Sequence, residues 1–212
     1  MIGIPNIKYC GNYSKEIQAE DCMFDNITMY KPNDFFLLSE NRNKFIKACE
    51  RMCRNDEDYS HFVNYIINVI GIDFCQVSSE IYGEKGIDIE MHHGPLFTLY
   101  DYASIILEEF IRNNKRITTF RIVDQLLQEH YDLHVQVVML AVTNHEAVHN
   151  RDIFLNIKQG FGDISGFIEK YKEYLNDNQK YRIKKYLDLC ETTDSFDNNI
   201  FDTEKVKKLV TL

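Results

Sequence analysis

Several features that would assign this chain to a special class are missing from its sequence. No run of about 18 apolar residues is present, so no transmembrane helix is expected. The first residues, Met1–Asn6, do not combine a basic segment with an apolar one, so no signal peptide is expected. These absences predict a soluble, cytoplasmic protein that makes no membrane contact.

Paired cysteines and an excess of positive charge are missing too. The six cysteines are scattered without a C-x-x-C pair, which disfavours a cysteine zinc knuckle and predicts reduced, mostly buried thiols. The net charge of −9 argues against a protein that coats nucleic acid with its whole surface. A local basic patch remains compatible with that charge.

The chain does have enough apolar sequence for a sizeable core, and its pattern is mainly helical. It contains 212 residues, of which 44% are apolar, and this predicts one domain or one domain with an appended lobe. Apolar periodicity predicts helices from Ser39 or Asn41 through Arg54 and over about 59–70, 98–112, 119–130, 164–175 and 178–190. Apolar runs of strand length predict strands at 72–77, 87–91, 135–142 and 153–157.

Histidine carries the strongest functional signal. Six of the seven histidines lie between His92 and His149. His145 and His149 are spaced i, i+4 on a short predicted helix capped by Thr143 or Asn144, so both imidazoles can reach one metal ion. His92 and His93 are neighbours on a predicted strand and must point to opposite sides. One of them can complete a three-nitrogen metal site while the other faces a substrate as a base.

Residues 87–150 resemble the HNH nuclease family, most closely its colicin-type branch. The resemblance rests on Glu-Met-His-His-Gly-Pro at 90–95, an apolar strand, and His-x-x-x-His at 145–149. It implies a two-stranded hairpin with a helix clamped across it by a metal. It assigns His92, His145 and His149 as metal ligands and His93 as the general base, so it implies an endonuclease that hydrolyses phosphodiester bonds, in DNA rather than RNA.

The chain departs from that family in three respects. Gln136 stands where the family usually has an asparagine that orients the base. The loop between the two halves is replaced by a helical stretch over 98–132, and typical members are more basic. The cofactor implied is one divalent ion, and zinc, magnesium, manganese and nickel all remain open.

The predicted fold class is α+β, with a mainly helical body around a small antiparallel ββα-metal motif. A helical insertion would separate the two strands of that motif. The predicted domains are an N-terminal lobe at 1–70, the ββα-metal core at 71–160 with its insertion at 98–132, C-terminal helices at 161–190, and an acidic, flexible tail at 191–212.

Basic side chains follow one stripe of the first helix and the tip of the insertion. These candidates for contact with a nucleic-acid backbone are Lys44, Lys47, Arg51, Arg54, Lys115 and Arg116. The plainer alternative is a solvated helix face without a ligand.

Two other interpretations of the histidines stay open. In the first, the metal site is structural and the protein acts by binding a protein partner or another copy of itself. In the second, His145-Glu146-x-x-His149 is an H-E-x-x-H zinc peptidase motif, with Glu169 or Glu173 as a third ligand. The peptidase interpretation leaves His92 and His93 without a role.

Overall fold

A computed structural model of the chain describes residues 31–192. Within these residues the structure is mostly helical with one small antiparallel sheet, which confirms the α+β class. The helices are α1 (Ser39–Arg54), α2 (Glu57–Tyr65), α3 (Leu99–Arg112), α4 (Thr119–Tyr131), α5 (Val142–Asn150), α6 (Ile164–Tyr171) and α7 (Asp177–Thr192), and the strands are β1 (Ile89–His93) and β2 (Val137–Ala141). None of the described helices is both long and apolar enough to cross a membrane.

The chain forms two compact units, and each is built from two separate stretches of sequence. In the described part, unit 1 comprises 31–60 and Tyr100–Asp132, and unit 2 comprises His61–Leu99 and 133–192. The domain boundaries at 70, 160 and 190 stay predictions. Residues 1–30 of the predicted N-terminal lobe and 193–212 of the predicted tail lie outside the described residues.

Unit 1 is organised by the packing of α1 against α4. Helix α1 buries Phe45, Ile46, Cys49 and Cys53, which recur at the three-and-four spacing that places them on one face. Helix α4 is capped at its start by Thr118, whose hydroxyl accepts a hydrogen bond from the Arg121 backbone N–H at 3.1 Å. The bounds of α1 match the prediction through its apolar period, and no side chain caps its start, whereas α4 matches through both its apolar period and its cap.

Unit 2 contains the sheet, and α5 packs on both of its strands. In the antiparallel register His92 lies opposite Val138 and His93 lies opposite Val137. Strand β2 is buried along its whole length, whereas β1 alternates between buried and outward-facing residues. Helix α5 begins directly after β2, so β1, β2 and α5 form one local ββα arrangement.

Two predicted strands are absent from the described structure, and the cap predicted for α5 is wrong. Residues 72–77 form only an isolated bridge between Phe74 and Ile81. The segment at 153–157 leads into a short 3-10 helix at Ile157–Gln159 instead of forming a strand. This helix starts there because the Asn156 side chain accepts from the Lys158 backbone N–H and takes part in a capping box. Helix α5 follows Ala141 as N-cap residue, and the Asn144 amide donates to the Cys75 sulfur at 3.1 Å instead.

Candidate metal centre

Three imidazoles converge on the outward face of the ββα arrangement in unit 2. They belong to His92 on β1 and to His145 and His149 on α5, and one nitrogen from each lies within 4.8 Å of the other two. The two Nε2 atoms of His145 and His149 are 3.0 Å apart. The ring centroid of His92 lies 5.0 Å from that of His145 and 5.1 Å from that of His149. The structure therefore brings together the three residues that the sequence predicts as metal ligands.

Secondary structure explains this convergence. His145 and His149 are one helical turn apart and share a face of α5. On β1 the alternation of a strand places His92 outward, toward the helix that packs on the sheet. Gly94 gives the ring of His92 its room, because a Cβ atom at that position would stand 3.0 Å from Nε2 of His92.

Glu90 extends the cluster and was not among the predicted site residues. Its Oε2 atom lies 2.5 Å from Nδ1 of His145. A carboxylate at this distance is a suitable acceptor for an Nδ1–H group, and the other ring nitrogen of His145, Nε2, lies 3.0 Å from Nε2 of His149. The available signal was the two-residue spacing between Glu90 and His92, which places both side chains on one face of a strand.

The two predicted catalytic residues lie apart from this outward face. His93 is 4% exposed and belongs to the inner face of β1. Gln136 is fully buried, and its amide donates to the Ile157 carbonyl oxygen at 2.8 Å. A Cβ atom on Gly160 would come within 2.4 Å of the Gln136 side chain, so the amide is closely packed. Gln136 thus fastens the 155–161 segment to the start of β2.

The predicted nucleic-acid contacts all lie in unit 1 and are exposed. Lys44 forms an ion pair with Glu40 at 2.6 Å, and Lys115 forms one with Glu109 at 2.5 Å. The remaining members of the set are Lys47, Arg51, Arg54 and Arg116. Lys44 and Lys115 therefore have carboxylate partners of their own.

Buried titratable groups of unit 1 contrast with the cluster. His130 is fully buried, and this burial lowers its pKa to about 4, against the smaller opposing influences of the Leu126 carbonyl and of Glu129. Burial also raises the pKa of the Cys49 and Cys53 thiols far above their ordinary value. As predicted, the cysteines within 31–192 are free and buried.

The family model described as Bacteriophage G278-like virion protein matches residues 9–210. No curated protein and no solved structure matches the chain.

This match corrects the resemblance to HNH nucleases. The matched family consists of virion proteins, so the predictions of an HNH endonuclease, of nuclease activity and of DNA binding were wrong. The physical reason is that two helical histidines beside a strand histidine make a metal-ligand geometry, and such a geometry does not by itself specify a reaction. A virion family also gives no support to a cytoplasmic location. That the chain is an enzyme stays a prediction.

Proposed function

The chain belongs to the bacteriophage G278-like virion protein family, and from this premise we propose that it is a structural component of a phage particle. One observation carries the proposal, namely that the family match extends over residues 9–210 of a 212-residue chain. A match of that extent concerns the whole fold rather than a local motif.

A particle component acts through contacts with other proteins, and the surface of the chain supports protein partners or further copies. The net charge of −9 disfavours general contact with nucleic acid. In unit 2 the bridged residues Phe74 and Ile81 are 37% and 48% exposed, and the adjacent Tyr82 is 52% exposed. Exposed apolar side chains that lie together are typical of protein contact surfaces.

The experiment that tests this role compares phage with and without the chain. Particles are purified on a density gradient, and the chain is measured in them by quantitative mass spectrometry. We expect a fixed copy number per particle, and we expect a nonsense mutant to yield defective particles that the wild-type chain restores. Complete, infectious particles that lack the chain would overturn the proposal.

We also propose that β1, β2 and α5 bind one divalent metal ion through His92, His145 and His149, and that this ion holds α5 against β1. The support is the convergence of three ligand nitrogens from two stretches of chain about fifty residues apart. Helix α5 has only nine residues, and a helix of that length has little stability of its own in water. An ion shared with His92 would fasten this helix to β1.

A further inference from the structure

The chemistry around the three imidazoles defines which ion they take and how one of them is held. Building on the metal site proposed above, we infer that the cluster binds a late first-row transition ion such as Zn²⁺ or Co²⁺, with Glu90 positioning His145 and a fourth coordination position occupied by exchangeable solvent. Three observations carry this inference: the donor atoms, the contact of Glu90 and the exposure of the cluster.

The donor atoms select the class of ion. The three ligands converging here are imidazole nitrogens, which suit zinc, cobalt, nickel and copper. Magnesium and calcium prefer shells of oxygen ligands and gain little from nitrogen. Zinc–nitrogen bonds of about 2.0–2.1 Å in a tetrahedron put ligand nitrogens about 3.3 Å apart. The 3.0 Å between the Nε2 atoms of His145 and His149 is close to that separation, so these two rings need only small movements to share an ion.

Glu90 contacts His145 at the ring nitrogen that does not face His149. Its carboxylate lies 2.5 Å from Nδ1 of His145, while Nε2 of the same ring faces His149. This is the arrangement in which a carboxylate fixes the tautomer and the orientation of a metal-binding imidazole. Glu90 is therefore a positioning residue, and it acts through His145 rather than by touching the ion.

The cluster leaves one coordination position to solvent. Within residues 31–192, the histidine, cysteine and carboxylate ligand atoms that converge here are those of these three histidines. His149 is exposed, so water reaches the cluster. Closed structural zinc sites have four protein ligands, whereas three protein ligands leave a position for water. A small external donor such as free imidazole can then replace that water.

The test is metal titration of the full chain and of matched variants. Affinity is measured by competition with a chromophoric chelator, and Co²⁺ absorption in the visible range reports the coordination. Variants of the cluster are His149→Ala, Glu90→Ala and Glu90→Gln. The controls are His61→Ala, an exposed histidine elsewhere in unit 2, and Asp88→Asn, an exposed acid two residues before Glu90. Circular dichroism verifies that each variant is folded.

We expect one Zn²⁺ or Co²⁺ per chain and no competition from millimolar Mg²⁺. His149→Ala should lower zinc affinity at least 100-fold. Glu90→Ala should lower it about 10-fold to 100-fold. Glu90→Gln should lose less, because its amide oxygen still accepts from Nδ1, and both controls should bind as the wild type does. Added imidazole should shift the Co²⁺ spectrum.

The outcomes separate this inference from the proposals on which it rests. Zinc binding no stronger than that of His149→Ala would overturn the metal site itself. Zinc binding that Mg²⁺ displaces, that Glu90→Ala leaves unchanged, or whose Co²⁺ spectrum ignores imidazole would overturn the inference and leave the site standing. Incorporation into particles is measured independently of all of these.

Discussion

Histidine serves opposite purposes in the two units. In unit 1, the fully buried His130 packs edge-on against Tyr59 with ring centroids 5.7 Å apart, and its Nδ1 lies 2.7 Å from the Leu126 carbonyl oxygen. In unit 2, His92, His145 and His149 turn toward solvent and toward one another. His130 has one ring nitrogen close to a backbone carbonyl oxygen, and burial keeps its ring neutral. In the cluster, by contrast, each histidine directs a ring nitrogen toward the other two histidines. The convergence of ring nitrogens therefore distinguishes a candidate metal site from a core histidine, whereas residue type alone does not.

The largest expected effect is on unit 2, where zinc should stabilise the protein and a chelator should remove that stabilisation. At a free zinc concentration 1,000-fold above the dissociation constant, the free energy of unfolding should rise by about 4 kcal/mol, because only the folded state presents the complete cluster. Urea unfolding with zinc and with EDTA measures the difference. His149→Ala should keep no more than about 1.4 kcal/mol of this stabilisation, because binding at least 100-fold weaker leaves zinc at most about 10-fold above the dissociation constant. His130→Gln should keep the full response. An equal response in His149→Ala would place the zinc elsewhere.

The second expected effect is a pH-dependent loss of stability that originates in unit 1. Since burial lowers the pKa of His130 from about 6.5 to about 4, the unfolded chain binds a proton in that range and the folded chain does not. Stability is therefore fully present above pH 6.5 and is lost as the pH falls toward 4, by roughly 3 kcal/mol in total. Urea midpoints between pH 7 and pH 4, measured in EDTA, test this.

The control for the pH effect is His130→Gln. Glu129 and Arg54 also influence the charge at this position and remain in the variant. The free energy of unfolding of the variant should therefore depend less steeply on pH than that of the wild type. Both proteins retain the same carboxylates. Identical slopes would mean that His130 does not stay neutral in the folded state.

A smaller loss of stability is expected on replacing Gly162, which lies close to the residues just before β2. Gly162 has φ +113°, and a Cβ atom there would stand 2.3 Å from the Val135 carbonyl oxygen. Gly162→Ala should cost about 2–3 kcal/mol through backbone strain and displacement of the Phe161 bridge to Val137. Gly71 also has positive φ, but a Cβ atom added there would meet nothing within 4 Å, so Gly71→Ala should cost only about 1 kcal/mol. Equal costs in thermal unfolding would rule out the close approach as the cause.

The smallest effect is expected on the basic stripe of unit 1. Lys47 and Arg51 are exposed on α1, so changing either to alanine should alter the free energy of unfolding by no more than about 0.5 kcal/mol. Zinc affinity and incorporation into particles should be unchanged. Loss of incorporation with intact stability would instead make the stripe a contact surface in the particle.

The sequence predicted the elements whose local signals agree with one another. Helices α1 and α4 have a regular apolar period, and α4 also has a capping residue at its start. The i, i+4 spacing was enough to pair His145 with His149, whereas the choice of His92 over His93 as their partner came from the resemblance to HNH nucleases. The antiparallel pairing of β1 with β2 was expected only from the resemblance to HNH nucleases, because local patterns do not specify pairing between residues about fifty positions apart.

Other features escaped prediction because local chemistry outweighed strand propensity or because a motif carried too little information. The capping box at Asn156 diverts an apolar run into a 3-10 turn. Glu90 became visible as part of the site only when the distance to His145 was known. The resemblance to a nuclease rested on a short strand motif and on histidine spacing, which any protein that binds a metal through histidines can share.

The interleaving of the two units sets an order of events during synthesis on the ribosome. The described residues of unit 1 end at Asp132, before β2 and α5 have been made. His92 is synthesised about fifty residues before His145 and His149, so the three histidines cannot come together until that later stretch has been made. Domains generally fold as their sequences become available, so unit 1 can form first. The proposed ion would then enter a chain whose unit 1 is already folded, and a product of premature termination before His145 would lack two of the three proposed ligands.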